Sequence, residues 1–228
     1  MHLGLIGGIG PAATEFYYRG LVAAHADEGR ALDLTIVQAE ASDLVRNLTA
    51  GDAQAQAEVF LPLVERLAAA GAEAAAVTSM GGHFCIRELA RISPLPLLDL
   101  IPAMAAALTG PKFGWVGLLG TRAVMESHLW GAIPTLEVVL PEGDDLAATH
   151  DAYIAMATAS RVSEAQRELF FRIGADLVQG RGAEVVVLAG TDLCLAFDGI
   201  DCGFPVVDCA QVHVDALVRA TLGDSLDG

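Results

Sequence analysis

The chain has 228 residues, is 54% hydrophobic and carries a formal net charge of −16 at neutral pH. That length buries a sizeable core as one large domain or two small ones, and that charge repels phosphate, which argues against nucleic acid and anionic membrane surfaces as partners. Charged residues such as Asp99, Glu137 and Glu184 interrupt each apolar run short of the roughly 18 residues that a membrane-spanning helix needs.

In chain order, apolar runs at 3–6, 34–37, 74–78, 96–98, 113–119, 136–140, 185–188 and 205–207 predict buried strands. Segments with helical spacing, 12–25, 53–70, 164–179 and 209–221, lie between them. Such alternation predicts parallel sheets covered by helices on both faces. The opening MHLGLIGGIGP lacks the basic region and cleavage pattern of a signal peptide. Cys85, Cys194, Cys202 and Cys209 show neither CxxC nor zinc-ligand spacing. Reduced thiols, no metal and a cytoplasmic location are expected. Lys112 is the only lysine and stands at the start of a strand-like run, away from the strand ends where α/β sites form; pyridoxal chemistry, which needs a lysine beside the cofactor, is not expected.

The two halves resemble each other. GLIGGIGPAAT (4–14) matches GLLGTRAVM (117–125), AAAVTSMGGHF (74–84) matches VVVLAGTDLCL (185–195), and PLPLLDLIPA (94–103) matches GFPVVDCAQV (203–212), in the same order and at nearly equal intervals. The repeat predicts two similar three-layer α/β domains with parallel four-stranded sheets related by a pseudo-two-fold axis. The expected boundaries are 1–101 plus 208–228 for the first domain and 102–207 for the second. A ligand is expected between them, where helix amino-termini and free N–H groups converge.

Three motifs sit at predicted strand ends. GGIGPAAT (7–14) contains G-x-G-x-x-A, with Asp33 near the distance of a ribose-binding acid. Pro11 at the first helical position and the non-glycine repeat GLLGTR favour an anion-cradling loop over a dinucleotide site. TSMGGHF places Ser79 and His83 at a strand end; a histidine there serves as a general acid or base, or simply bonds backbone at a helix start. LAGTDL (188–193) opens a helix with Thr191 and Asp192, residue types that also serve as plain helix caps. Cys85 and Cys194 lie within helices, where buried packing is the ordinary role of cysteine.

GGIGPAAT, LPLVERLAAAGAE, TSMGGHF, GLLGTRAVMES, GAEVVVLAGTDL and FPVVD, in that order along nearly the whole chain, resemble the aspartate/glutamate racemase family, and LLGTR-x-x-M with PEGD resembles its broad-specificity amino-acid racemase branch. The resemblance implies an isomerase working without cofactor, commonly as a homodimer, on a small carboxylate or amino-acid ligand. It also implies two thiols, one per half, moving the α-proton on opposite faces. The motifs that carry those thiols fall on residues 79–83 and 189–192, where Ser79 and Gly190 stand in their places. A serine hydroxyl is a far weaker acid than a thiol, and glycine offers nothing.

The candidate catalytic residues are therefore Ser79, His83 and Cys194, the last as a substitute thiol one turn past Gly190. Candidate substrate contacts are Gly8, Ile9, Gly10, Ser79, Met80, Gly81, Gly120, Thr121, Gly190, Thr191 and Asp192. Arg46 or Arg122 would suit a carboxylate by bidentate pairing, and either is equally a surface residue. Three functions stay open: an altered isomerase, a decarboxylase or lyase needing one protonating group, and a non-catalytic binding homologue.

Overall fold

The computed structural model of the chain describes residues 1–110 and 113–223. Lys112 and the last five residues of the expected first domain lie outside these. The chain divides into two compact units, Met1–Leu100 with the stretch from His213 onward, and Ile101–Val212.

The first unit holds β1 (His2–Gly7), α1 (Pro11–Asp27), β2 (Asp33–Gln38), α2 (Ala41–Ala50), α3 (Ala53–Ala69), β3 (Ala74–Val77), a 3₁₀ turn over Gly81–Cys85, and α4 (Ile86–Ile92). Its parallel sheet runs β2-β1-β3. β1 is central and its interior residues are fully buried, which is why it reads as a continuous apolar run. Gly4 lets α3 approach closely, since a Cβ on it would stand 2.8 Å from Leu67 Cδ1. Phe60, Val64 and Leu67 of α3, Leu89 of α4 and Leu44 of α2 close this core over Ile6 and Val77.

A fourth strand was expected at 96–98. Only a single parallel bridge forms there, Ala75 to Leu97, with the Ala75 N–H donating to Pro96 O (3.0 Å) and the Leu98 N–H to Ala75 O (2.8 Å). Pro94 and Pro96 lack the N–H groups that would continue a ladder. The first sheet therefore has three strands rather than four.

The second unit takes α5 (Leu100–Thr109), whose first residue belongs to the first unit, then β4 (Trp115–Gly120), α6 (Arg122–Glu126), α7 (His128–Gly131), β5 (Glu137–Val139), α8 (Asp144–Ala159), α9 (Glu164–Ala175), β6 (Val185–Ala189), α10 (Cys194–Phe197), β7 (Val206–Asp208) and the start of α11 (Cys209–Leu222). Its four parallel strands run β5-β4-β6-β7. With the Leu97 bridge beside β3, the strand order of the first unit reads like that of the second. Phe170, Ile173 and Leu177 pack with Tyr153, Met156 and Phe197 over Val186 and Leu188. Among the described residues no helix is long and apolar enough to cross a membrane.

Candidate functional site

In the first unit, two loops leave the carboxyl ends of adjacent strands. The loop after β1 carries Gly8, Ile9 and Gly10. Gly8 has φ +87° and a Cβ there would meet Gln38 Nε2 at 2.0 Å, so only glycine fits. Its N–H donates to Thr14 Oγ1 at 2.9 Å, and Thr14 donates back to Gly10 O at 3.3 Å. Gly10 then caps α1, with Pro11 at its first position as the sequence predicts. Thr14 Oγ1 also lies 3.2 Å from Thr78 Oγ1, which ties this loop to the one after β3. Asp33 opens β2, in register with His2, at the end of the sheet away from the glycine loop. The spacing that resembled a ribose-binding acid therefore joins residues at opposite strand ends.

The loop after β3 carries Ser79, Met80 and Gly81, with Ser79 and Met80 buried. The Gly82 N–H donates to Ser79 Oγ at 3.3 Å. His83 is buried, with both ring nitrogens engaged. Nδ1–H donates to Ser79 O at 2.7 Å, and Nε2 accepts from the Leu100 N–H at 3.2 Å. This pair of partners sets the neutral tautomer. Burial pushes the imidazole below its ordinary pKa, against the pull of Asp99, whose Oδ1 lies 3.8 Å from Nε2. His83 and Ser79 are thus brought together, but through the serine carbonyl.

Behind His83 stands His213 of α11, ring centroids 5.7 Å apart. Its Nε2–H donates to Leu98 O (3.0 Å) and its Nδ1 accepts from the Tyr17 hydroxyl (2.9 Å). Burial, reinforced by His83, pushes its pKa down to about 3. Neither His213 nor Tyr17 carries a motif in the sequence; their roles come from long-range packing.

In the second unit, Gly120 ends β4 in register with Ala189 of β6, so Gly120-Thr121 and Gly190-Thr191-Asp192 leave neighbouring strand ends. A Cβ on Gly120 would meet Ala189 O at 2.6 Å. Thr121 caps α6 by accepting from the Val124 N–H at 3.4 Å. Thr191 and Asp192 are buried.

Gly190 has an ordinary extended backbone, yet a Cβ there would lie 2.3 Å from Tyr153 Cε2 and 2.8 Å from its Oη. The phenol of α8 therefore fills the space that a side chain at 190 would need. Its hydroxyl donates to Asp192 Oδ2 at 3.3 Å, and burial followed by the Asp192 charge pushes its pKa well above the usual phenol value. Sequence reading missed Tyr153, because DAYIAM is an ordinary helical run with nothing to tie it to residue 190.

Cys194 is buried, and desolvation, then Asp192, Asp208 and Asp198, push its thiol above the ordinary range. Cys85 is packed with its Sγ donating to Gly82 O and its pKa pushed up to about 12 by burial. Arg46 is exposed and paired with Asp43 at 2.7 Å; Arg122 is exposed at the start of α6. Among the described residues no group of three or more His, Cys, Asp or Glu side chains is placed to hold a metal ion.

Known proteins share this fold. A candidate Asp/Glu racemase from Yersinia pestis is 26% identical, with 97% of this chain and 100% of that one aligned and a TM-score of 0.81. An aspartate racemase homologue from Pyrococcus horikoshii is 22% identical over 97% of this chain and 99% of its own, TM-score 0.77. The aspartate racemase of Picrophilus torridus is 18% identical over 100% and 96%, TM-score 0.75; these last two likenesses speak for the fold. The sequence model of the Asp/Glu/hydantoin racemases matches residues 6–217, nearly the full set of elements from β1 to α11. By that match the chain belongs to the Asp/Glu/hydantoin racemase family.

Proposed function

We propose that this chain binds a small carboxylate at the glycine loop after β1, and that racemisation by paired thiols does not operate in it. The observation that carries the reading is Tyr153 standing over Gly190, which leaves no room for a second thiol. Serine at 79, in the first unit, supports the same conclusion. A hydroxyl carries a proton poorly without an adjacent base, and His83 spends both nitrogens on backbone groups. Cys194, buried and held protonated, is a poor substitute. The glycine loop, Thr14 and the capped helix start at Pro11 supply the kind of N–H-rich surface that favours anions. No nucleotide or pyridoxal group enters the proposal.

A second reading keeps turnover, and the Gly82 N–H aimed at Ser79 Oγ favours it, since donation to that oxygen stabilises its deprotonated form. One experiment separates the two. Each enantiomer of aspartate and glutamate is incubated with the protein in D₂O and the α-proton signal followed by NMR, beside thermal melts with the same ligands and with succinate. The expected result is a raised melting temperature with the α-proton retained. Exchange of one enantiomer would select the Ser79 reading, and rapid exchange of both would overturn the loss of two-sided proton transfer.

A further inference from the structure

Helix α2 is held in place by very little. Leu44 and Asn47 are its buried residues. Leu44 joins the core of the first unit. A Cβ on Gly81 would lie 3.9 Å from Leu44 Cδ2 and 3.6 Å from Ser79 Oγ, so α2 walls the loop after β3. Asn47 reaches α3 instead, its Nδ2 donating to Gln56 Oε1 at 2.9 Å. Gln56 is fully buried, and its Nε2 has no hydrogen-bond partner among the described residues. We propose that α2 is a lid over the strand-end loops of the first unit, and that the Asn47–Gln56 pair is the weak latch that lets it open.

One amide–amide bond contributes modestly to docking, and a buried donor left without a partner costs at least as much. A half-satisfied polar pair therefore holds a helix less well than an apolar contact would. Lifting α2 gives both amides to water. The ends of the helix suit such a motion. On one side, the Ala39 N–H donates to Gly7 O at 2.8 Å, so the segment entering α2 is tied to the glycine loop. On the other, Gly51 turns the chain at φ +66° with open space around it. Asp52 then caps α3 separately, accepting from the Ala55 N–H at 2.9 Å, so α3 keeps its own start when α2 lifts. The inference rests on the reading that the glycine loop holds a carboxylate, and adds how that ligand gains entry.

Hydrogen exchange on the full chain, read by mass spectrometry, tests it. Asn47→Leu with Gln56→Met nearly keeps the side-chain shapes and removes the unmet donor. This double variant is expected to slow the amides of residues 45–50 about tenfold and leave those of α3 within about twofold, because the gain goes to docking alone. Asn47→Ala strips Gln56 of its partner and is expected to speed the same amides about tenfold. Succinate at roughly twice its Kd is expected to slow them about threefold in the wild type. Residues 45–50 exchanging in step with α3 in the wild type would overturn the lid. So would a double variant that slows α2 and α3 equally, since that is the mark of a plain structural contact. Succinate that raises the melting temperature without slowing these amides would also overturn it, and leave carboxylate binding standing. Succinate that does neither, while α2 still responds to both variants, would sink the carboxylate reading and leave the latch standing. Should the double variant not fold, the wild type and Asn47→Ala decide.

Discussion

Placing a side chain at residue 190 is the sharpest perturbation of the second unit. In Gly190→Ala the new methyl would start 2.3 Å from Tyr153 Cε2, more than 1 Å inside the roughly 3.5 Å of ordinary carbon contact. Backbone strain contributes nothing, because φ is −155°. Overpacking of this kind costs about 1–3 kcal/mol. Turning the ring away also loosens the bond to Asp192, worth about 1 kcal/mol or more, while the stiffer unfolded chain returns about 0.4–1 kcal/mol. The net expectation is destabilisation by about 2 kcal/mol. Tyr153→Ala alone is expected to cost about 3–5 kcal/mol by leaving a cavity. The double variant removes the clash, so it should be more stable than additivity predicts by about 1–3 kcal/mol. Urea unfolding followed by tyrosine fluorescence and circular dichroism measures all four forms. Additive effects, or a Gly190→Ala variant within about 0.5 kcal/mol of wild type, would refute the argument that the phenol owns this space.

Two further predictions concern protons and thiols. His213 is held neutral, with its pKa pushed down to about 3, whereas an unfolded histidine takes its proton near 6.5. The unfolded state therefore binds more protons below pH 6.5, and the stability contributed by His213 is complete above that pH and lost as pH falls toward 3. The slope approaches about 1.4 kcal/mol per pH unit, and His83, shifted in the same direction, adds to it. The His83 and His213 Cε1–H signals are expected to remain at neutral positions in NMR spectra at pH 5.5; titration of either near 6.5 would contradict the buried network. Asp208, raised to about 6 by desolvation, acts in the opposite sense, and its contribution is lost as pH rises through 6. Among the thiols, Cys202 is half-buried and Cys85, Cys194 and Cys209 are buried, the last with its thiol pushed up by burial and nearby acids. A disulfide reagent at pH 8 should therefore modify Cys202 first, and the Cys202→Ser protein should react slowly. Labelling of Cys194 as fast as Cys202 would restore it as a candidate proton carrier.

Much of the fold was legible because parallel strands buried on both faces must be continuously apolar. Seven of the eight predicted runs became strands, and helices 12–25, 53–70 and 209–221 appear within two residues of their expected ends. Segment 164–179 divides into α9 and a π turn over Asp176–Gly180. The eighth run, 96–98, fell short because hydrophobicity does not register the N–H groups that proline lacks. The ten-residue α2, with Leu44 and Asn47 as its buried residues, presents too few apolar positions in its short length to stand out in the sequence. At the candidate site, strand-end position predicted where Ser79, His83 and Gly190 would stand. It did not predict their partners. The contacts of His83 with Leu100 and of Tyr153 with residues 190 and 192 join positions 17, 37 and 39 apart in sequence, and such pairs are set by packing rather than by local pattern.

The histidine pair also has a consequence for how the first unit opens. Tyr17 on α1, His213 on α11, the carbonyl of Leu98, the N–H of Leu100 and the carbonyl of Ser79 are held by two imidazoles in contact. The carboxyl-terminal helix and the loop after β3 therefore share one latch, although 134 residues separate Ser79 from His213. Peeling that helix away would strip His213 from Leu98 and expose the ring against which His83 rests. In hydrogen-exchange terms, the amides at Gly82, His83 and Leu100 should open together with those of the helix from His213 onward, as a single cooperative foldon. α11 would then set the lifetime of the ordered loop after β3.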